Sequence, residues 1–381
     1  MIIKKVSQEH FKNIKTPFFL PKNGVNIITG KNGQGKTNLL ELMFLAQNGD
    51  SFRTLSSDKI CFDESFFSST IIYEDSEREN EIKLYEDKDN EKKEFKRNNV
   101  LLKTKREKAG GLCITAFSSA DIDIIKGGNE FRRKFLDDGI SQIKPLYSEY
   151  LLRYRKALLQ RNEVLKKMHY KNEEFLLAWN SMLAATAVPI IIMRKDYVLK
   201  LLPLAKKIYK EMIGNEDEEI DFIYRDSVFG EREISKTLGE DDVRYYEERL
   251  SEVFPEDSGR RTTTIGPHRD DLYFTINGKP AREYASGGQR RCGAIALRLA
   301  SAELCEQVTG EVPVVLLDDV FSELDEYRQR FLIESLSGRQ IFITTPKEET
   351  PIKIEGAAWW EMDDGRVAPA EGDTYGMGAD A

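Results

Sequence analysis

Apolar and polar positions change their spacing three times along the chain. In the first 45 residues apolar positions fall into short runs separated by turns: Ile2, Val6 and Phe11, then Phe18-Phe19-Leu20, then Val25-Asn26-Ile27-Ile28-Thr29. The last run is rich in β-branched residues and stops at Gly30, so it reads as a buried strand entering a loop. Asn38 to Gln47 (NLLELMFLAQ) has helix-forming composition, and strand, glycine loop and helix therefore follow in that order. Two more strands are expected at Thr70 to Tyr73 and Glu81 to Tyr85, with the highly charged Glu86 to Asn99 as an exposed hairpin turn.

From Pro145 the spacing becomes helical. Leu151, Tyr154, Leu158, Leu165 and Met168 mark an amphipathic helix to about Tyr170. A second helical stretch, Glu173 to Met212, carries Trp179, Met182, Leu183, Ile190, Tyr197, Leu201 and Ile208, with bends expected at Pro189 and Pro203. The two are expected as an antiparallel arm whose apolar stripe serves internal packing, the repeat holding for too few heptads to make a coiled coil.

The period-two pattern returns at Ile220 to Tyr224 and Leu272 to Ile276, the latter followed by the hairpin signal Asn277-Gly278. Ser286 then opens a helix to about Val308, followed by the apolar run Val314 to Leu317, a helix from Glu326 to Leu336 and a strand from Gln340 to Thr344. Strands alternate with helices at both ends, and helices fill the middle. The expected fold class is α/β: a nucleotide-binding lobe made of residues 1–116 and 301–381 and a helical lobe, 117–300, inserted between them and carrying the Ser286 turn. The Gly-, Ala- and Asp-rich stretch from about 363 to 381 is expected to be a flexible tail.

Of the 381 residues, 40% are hydrophobic and 32% charged, which excludes a mostly disordered or membrane-embedded chain. The longest nearly apolar run, Ala184 to Met193, falls far short of the ~20 residues that span a bilayer. Met1 to Lys5 lead straight into polar sequence with no apolar segment of a signal peptide. A soluble, cytoplasmic chain is expected. Cys61, Cys113, Cys292 and Cys305 are widely scattered, without metal-ligand spacing, and read as reduced thiols. The net charge of −8 argues, as an average, against nucleic-acid binding.

Gly30-Lys31-Asn32-Gly33-Gln34-Gly35-Lys36-Thr37 fits G-x-x-x-x-G-K-[ST], the P-loop, and stands between a strand and a helix as that motif requires. Glycines let backbone N–H groups turn in around phosphate oxygens while the helix aims its positive end at the same anion. Lys36 would reach the β and γ phosphates of ATP, and the Thr37 hydroxyl would ligate Mg²⁺. Val314 to Asp319 is a buried strand ending in two carboxylates: Asp318 would hold Mg²⁺, and Asp319 would orient the attacking water. A lesser reading has Asp319 and Ser322 merely capping the following helix. Ser286-Gly287-Gly288-Gln289 opens a helix with two glycines, a second anion-binding device that, taken alone, is also an ordinary helix start.

Set beside Ser322-Glu323-Leu324-Asp325, these pieces resemble the Walker A, signature, Walker B and D-loop set of ABC-type ATPases. Within that superfamily the chain resembles the RecF family of DNA repair proteins over essentially its whole length. The resemblance rests on Phe117-Ser118, Asp121 to Gly128, Arg132 to Asp137, Gln160-Arg161-Asn162, Leu316 to Val320 and, most specifically, Gly266-Pro267-His268-Arg269-Asp270-Asp271. It implies a head like that of SMC proteins without their long coiled coil, using ATP and Mg²⁺. It also implies an ATP-dependent homodimer, each Ser286 to Gln289 turn closing on the γ-phosphate held by the partner's P-loop and Ser322 to Asp325 lining the same seam. DNA would bind across that dimer at single-stranded, gapped or duplex-junction sites, with RecR and RecO as partners, RecA loading and the SOS response as outcomes, and weak DNA-stimulated hydrolysis.

Two features depart from the superfamily. His10, His169 and His268 all precede Asp318, so the switch histidine of transporter ATPases is absent and Thr344-Thr345 stand in its place. Asp319 is one methylene shorter than the usual Glu, which points to slow turnover.

The charge is unevenly spread. Leu101 to Tyr170 holds 15 Lys or Arg against 8 Asp or Glu, a surplus of +7. Arg132, Arg133, Lys134, Arg153, Arg155, Lys156 and Arg161 from that segment are candidate phosphate contacts, with Arg53 a further candidate for nucleotide or DNA. His268 and Arg269 have no partner nucleophile and are assigned no chemistry of their own. Two other readings are a transporter's nucleotide-binding subunit, which the missing histidine and the basic arm disfavour, and a protein-binding regulatory NTPase.

Overall fold

A computed structural model describes residues 1–52, 58–108, 110–167, 173–214, 217–230, 232–234, 239–346 and 354–370. The chain divides into two compact units, 1–121 with 301–381, and 122–300. The first boundary falls at 121 rather than 116. Ile114–Ser118 is a strand hydrogen-bonded into the first unit's sheet, which carries Phe117 and Ser118 with it.

The first unit holds two six-stranded sheets. One is antiparallel and local in sequence, ordered β2-β1-β4-β5-β6-β7: β1 Ile2–Glu9, β2 Phe18–Phe19, β4 Phe66–Glu74, β5 Glu79–Asp87, β6 Lys92–Arg97 and β7 Val100–Leu101. The charged stretch after Glu86 is therefore a strand and not the expected turn. Phe95 is buried on one face of β6 while Lys92, Glu94 and Lys96 make ion pairs along the other, so its charges are those of a solvated sheet face.

The other sheet is ordered β15-β14-β3-β13-β12-β8, comprising β3 Val25–Thr29, β8 Ile114–Ser118, β12 Val314–Asp318, β13 Ile341–Thr345, β14 Ala358–Asp363 and β15 Arg366–Pro369. All its pairings are parallel except β14 with β15. Val314 to Leu317 and Ile341 to Ile343 are buried without alternation, as strands covered on both faces must be. The expected flexible tail is thus ordered as far as Ala370. Asp364-Gly365, both at positive φ, make the turn that returns β15 along β14, and residues 371–381 lie outside the described residues.

Helix α1, Lys36–Asn48, contacts strands of both sheets, with Leu39, Leu40, Leu42, Met43, Leu45 and Ala46 buried in their shared core. Each large side chain there is worth ~1.5–3 kcal/mol, and truncating Leu42 to Ala would remove about 2–5 kcal/mol. Gly49 at φ 85 ends the helix. A four-residue turn of helix, α2 Lys105–Lys108, and helix α11, Glu326–Ser335, complete this unit.

The second unit is mostly helical: α3 Asp123–Lys126, α4 Asn129–Ile143, α5 Pro145–Lys166, α6 Glu173–Ile213, α7 Glu240–Glu252, α8 Phe254–Arg260, α9 Ala281–Tyr284 and the start of α10, Gly287–Thr309. A three-stranded sheet, β11-β10-β9, packs with them: β9 Ile220–Arg225, β10 Asp271–Ile276 and β11 Lys279–Pro280, the last two joined through the positive-φ pair Asn277-Gly278.

Helices α5 and α6 run antiparallel, because Tyr147 meets Arg194 and Arg161 meets Asn180. Helix α6 is continuous through Pro189 and Pro203. By length and composition it could cross a membrane, with a mean hydropathy of 1.8 in its most apolar window, yet Leu183, Ala187, Ile190, Leu201 and Tyr209 are buried inside the unit. The expected helical ends at Met168 to Tyr170 lie outside the described residues, as does Arg53. All four cysteines are free thiols, Cys113 and Cys305 lying with their sulfurs 2.8 Å apart in the first unit.

Candidate nucleotide site

Strand β3 delivers the chain into the Gly30 to Gly35 loop, which doubles back to start α1. Two of its glycines are demanded by their neighbours. A Cβ on Gly30 would collide with the carbonyl oxygen of Met362 on β14, and one on Gly35, at φ 114 where α1 begins, would lie only 3.0 Å from the Asn13 side chain. Lys36 is buried, and its ammonium donates to the carbonyls of Gly30 and, at 3.0 Å, of Lys31, so it lies within the loop it serves. Lys31, Asn32 and Gly33 are exposed, presenting the loop to solvent.

Parallel register sets the acidic side. Asp318 on β12 stands beside Thr344 on β13, and Thr345 beside Thr29, the last residue before the loop. Thr37 Oγ1 donates to Asp318 Oδ1 at 2.9 Å, and Thr344 Oγ1 donates to the same oxygen at 2.8 Å. Asp318 is buried. Asp319 is exposed, at φ 55, with its N–H donating to Thr344 Oγ1 at 3.1 Å. Asn32, Gly33, Lys36, Thr37, Asp318, Asp319 and Thr344 line a cavity of about 260 Å³. The structure thus brings together the loop, Lys36, Thr37 and both carboxylates. The oxygen pair of Thr37 and Asp318 fits a hard divalent cation such as Mg²⁺.

Two braces of the loop have no counterpart among the sequence motifs. Asn13 donates its amide to Gly33 O at 3.2 Å and accepts from Asn38 at 2.8 Å. On the far side, Gly365 N–H donates to Gln34 O at 3.0 Å, Asp364 N–H donates to Gln34 Oε1, and the Asp364 carboxylate pairs with Lys15 at 2.6 Å. The Asp-Gly dipeptide after Trp359-Trp360 is a readable hairpin signal, but nothing local in the sequence ties it to a loop at residue 34.

In the second unit, Ser286 N–H donates to Gln289 Oε1 at 2.8 Å and Gln289 N–H to Ser286 Oγ at 3.2 Å, a reciprocal cap on α10. Ser286, Gly287 and Gly288 are exposed, and a Cβ on Gly287 would meet nothing within 4 Å. Internal packing does not require that glycine. In the first unit the cap of α11 is Asp325, which accepts from Arg328 N–H at 2.9 Å, so Asp319 is not needed for that role.

The candidate DNA contacts divide. Arg132 is buried and pairs with Asp271 at 2.6 Å, and Arg161 is fully buried, bonded to Asp257, Thr263 and Asn180. These two are corrected from phosphate contacts to internal ion pairs, whose partners fold back from far along the sequence. Arg133 is half-buried and donates to Asp270 O at 3.0 Å. Lys134 pairs with Asp138 and Arg153 with Glu149 along the surface of their own helices, Arg155 reaches Asp137 at 3.3 Å, and Arg153, Arg155 and Lys156 are exposed on α5.

The Gly266 to Asp271 segment is the hub of an internal network. Arg194, buried, donates to Asp137 at 2.7 Å, Tyr147 at 2.9 Å and Pro267 O at 2.7 Å, and lies 3.8 Å from Asp270. Burial raises the Asp270 carboxyl above its ordinary range against the pull of Arg194, and Tyr224 and Ser227 donate to it. His268 lies 3.0 Å from Thr263 O through Nε2 and 2.5 Å from the Tyr154 hydroxyl through Nδ1. Burial pushes its pKa down to about 4. Gly266, at φ 125, leaves room for the Tyr246 and Tyr154 hydroxyls, with which a Cβ there would collide.

Comparison with known proteins matches residues 2–362 to the family described as RecF/RecN/SMC N terminal domain. The DNA replication and repair protein RecF of Thermoanaerobacter sp. (strain X514) is 36% identical over 375 residues, 96% of this chain and 99% of that one, and RecF of Clostridioides difficile (strain 630) is 36% identical over 349 residues, 91% of each chain. A solved structure described as the recombination mediator protein RecF-ATP in the RecFOR pathway superposes with a TM-score of 0.88 at 35% identity, covering 97% of both chains. The SMC head domain of Pyrococcus furiosus, at 16% identity and a TM-score of 0.52, shares the fold. With its P-loop, its Asp318 strand and a head fold in which the described residues form no long coiled coil, the chain belongs to the RecF family of ABC-type, SMC-like ATPases.

Proposed function

We propose that this chain is an ATP-dependent DNA-binding protein of recombinational repair that dimerises on ATP and acts as a clamp at gapped or single-stranded DNA. The observation that carries this reading is the Thr37–Asp318 contact, which joins the P-loop to the acidic strand across 281 residues of sequence. Gly30 to Thr37 would cradle the triphosphate of ATP, with Lys36 leaving its loop carbonyls for the phosphate oxygens. Thr37 and Asp318 would hold Mg²⁺, whose chemistry is to neutralise charge on the β and γ phosphates. Asp319, exposed at the strand's end, would orient the attacking water, and the hydrolysis proposed is slow and stimulated by DNA.

The Ser286 to Gln289 turn of one copy would close on the γ-phosphate held by the other. Exposed Gly287, where a Cβ would meet nothing within 4 Å, suits such an approach. The solvent-facing Arg153, Arg155 and Lys156 of α5 are the basic groups available for DNA phosphates. RecR and RecO are the proposed partners in promoting RecA loading and the SOS response, in the cytoplasm. The ATP-bound relative, a recombination mediator in the RecFOR pathway, supports that setting.

Gel filtration with ATP and a short gapped duplex tests the reading. The wild type should elute as an ATP-dependent, DNA-bound dimer and Lys36→Met as a monomer. Reversing the charges of Arg153, Arg155 and Lys156 should weaken DNA retention and spare the dimer. A wild type that neither dimerises with ATP nor retains DNA overturns the proposal.

A further inference from the structure

Thr344 is a buried residue on β13 that lines the cavity beside Asp318. Its hydroxyl does two things at once. It donates to Asp318 Oδ1 at 2.8 Å and accepts the Asp319 N–H at 3.1 Å. A hydroxyl has one proton and two lone pairs, so the two roles are compatible, and their reverse is closed: a carboxylate oxygen can only accept, and an N–H can only donate. The single oxygen therefore touches both consecutive carboxylate residues, Asp318 through its side chain and Asp319 through its backbone.

That backbone is at φ 55, the left-handed conformation that glycine adopts freely and an aspartate only sparingly, and the hydrogen bond from its N–H to Thr344 helps to hold it there. Thr37 donates to the same Asp318 oxygen at 2.9 Å. Thr37 is also the group whose oxygen a bound cation would claim, whereas Thr344 on the neighbouring strand stays fixed by the Asp318–Thr344 register.

We infer that Thr344 is a positioning residue for hydrolysis: its hydroxyl fixes the orientation of the Asp318 carboxylate and holds Asp319 at the mouth of the cavity. It acts through the two aspartates that its hydroxyl touches. The inference rests on the ATPase reading proposed above. Groups that orient a metal-binding side chain are worth about 10- to 100-fold when removed.

Thr344→Val is close to isosteric, keeps the β-branched shape a buried strand favours and deletes only the hydroxyl. Thr344→Ser keeps the hydroxyl. ATP hydrolysis is measured alongside ATP affinity in EDTA, where no cation contributes, and thermal melting. T344V should hydrolyse about 10- to 100-fold more slowly with metal-free affinity within about twofold of wild type, and T344S should recover to within about threefold. T344A serves as the second hydroxyl-free variant.

Equal hydrolysis by T344V and wild type overturns the inference alone. So does an equal loss in T344V and T344S, or the failure of both hydroxyl-free variants to fold, since the hydroxyl then supports the strand and not the site. A wild type that neither binds nor hydrolyses ATP overturns the ATPase reading, and this inference falls with it.

Discussion

Two aspartates at strand ends, Asp318 closing β12 in the first unit and Asp270 just before β10 in the second, are both buried and both receive hydroxyl donors, yet they are built for different ends. Asp318 takes one hydroxyl from Thr37, which a cation would claim, and one from Thr344, which its strand holds in place, and it opens on a cavity of about 260 Å³. Asp270 takes the Tyr224 and Ser227 hydroxyls with a guanidinium 3.8 Å away, and that guanidinium is itself locked by Asp137, Tyr147 and Pro267. A carboxylate that shares a neutral donor with an open cavity is ready for a cation. One compensated by a fixed buried arginine has its counter-ion already, and serves the fold.

The largest effect that would break this contrast is expected at Arg194. Arg194→Leu leaves Asp137 and Asp270 buried without it and should lower stability by about 3–5 kcal/mol in urea unfolding. A loss below about 1 kcal/mol would mean the network is not what holds the second unit.

A smaller effect follows from His268. Its pKa is about 4 in the fold and 6.5 otherwise, so between those values the unfolded chain binds a proton that the folded chain refuses. Stability should be at its full value above pH 6.5 and should fall by about 2–3 kcal/mol as pH drops to 4. Asp270, with its raised pKa, works in the opposite direction in acid, so the difference between wild type and His268→Gln isolates the imidazole. Identical pH profiles for the two would remove His268 from the network's account.

The smallest effect on stability, and the one that sharpens the contrast most, belongs to Asp318→Asn. The amide keeps the size and the acceptor oxygen, so unfolding should shift by no more than about 0.5 kcal/mol while magnesium-dependent ATP hydrolysis is lost. A large destabilisation with hydrolysis retained would place Asp318 with Asp270 among structural carboxylates.

What could be read in the sequence depended on how far apart the cooperating residues lie. The P-loop is contiguous, and the two aspartates end an unmistakable apolar strand, so both halves of the site were legible in the order of residues. The tie between the two aspartates through Thr344 needed the β12–β13 register, which no local pattern states. The basic surplus misled for the same reason. The partners of Arg132 and Arg161 are Asp271 and Asp257, far along the chain, and a charge count cannot tell a buried pair from a solvated face. Strand β6 was hidden because its charged residues occupy one face of a pleat whose other face buries Phe95. The β14–β15 hairpin was hidden by its Gly- and Ala-rich surroundings.

The order of strands in the second sheet also has a consequence for synthesis. Strand β3, which feeds the P-loop, is flanked by β13 and β14, so Val25 pairs with Ile341 and Asn26 with Ala358. The antiparallel sheet, complete by Leu101, can assemble while the ribosome is still translating, but β3 waits for strands made at the far end of the message. At ~5–20 residues per second that wait is roughly 15 to 60 s, during which the Ile27-Ile28 run has no sheet to join and is a natural client for a chaperone. A chain interrupted before Ile341 therefore lacks both strands that seat the phosphate loop, and nucleotide engagement becomes a report that β13 and β14 have been made.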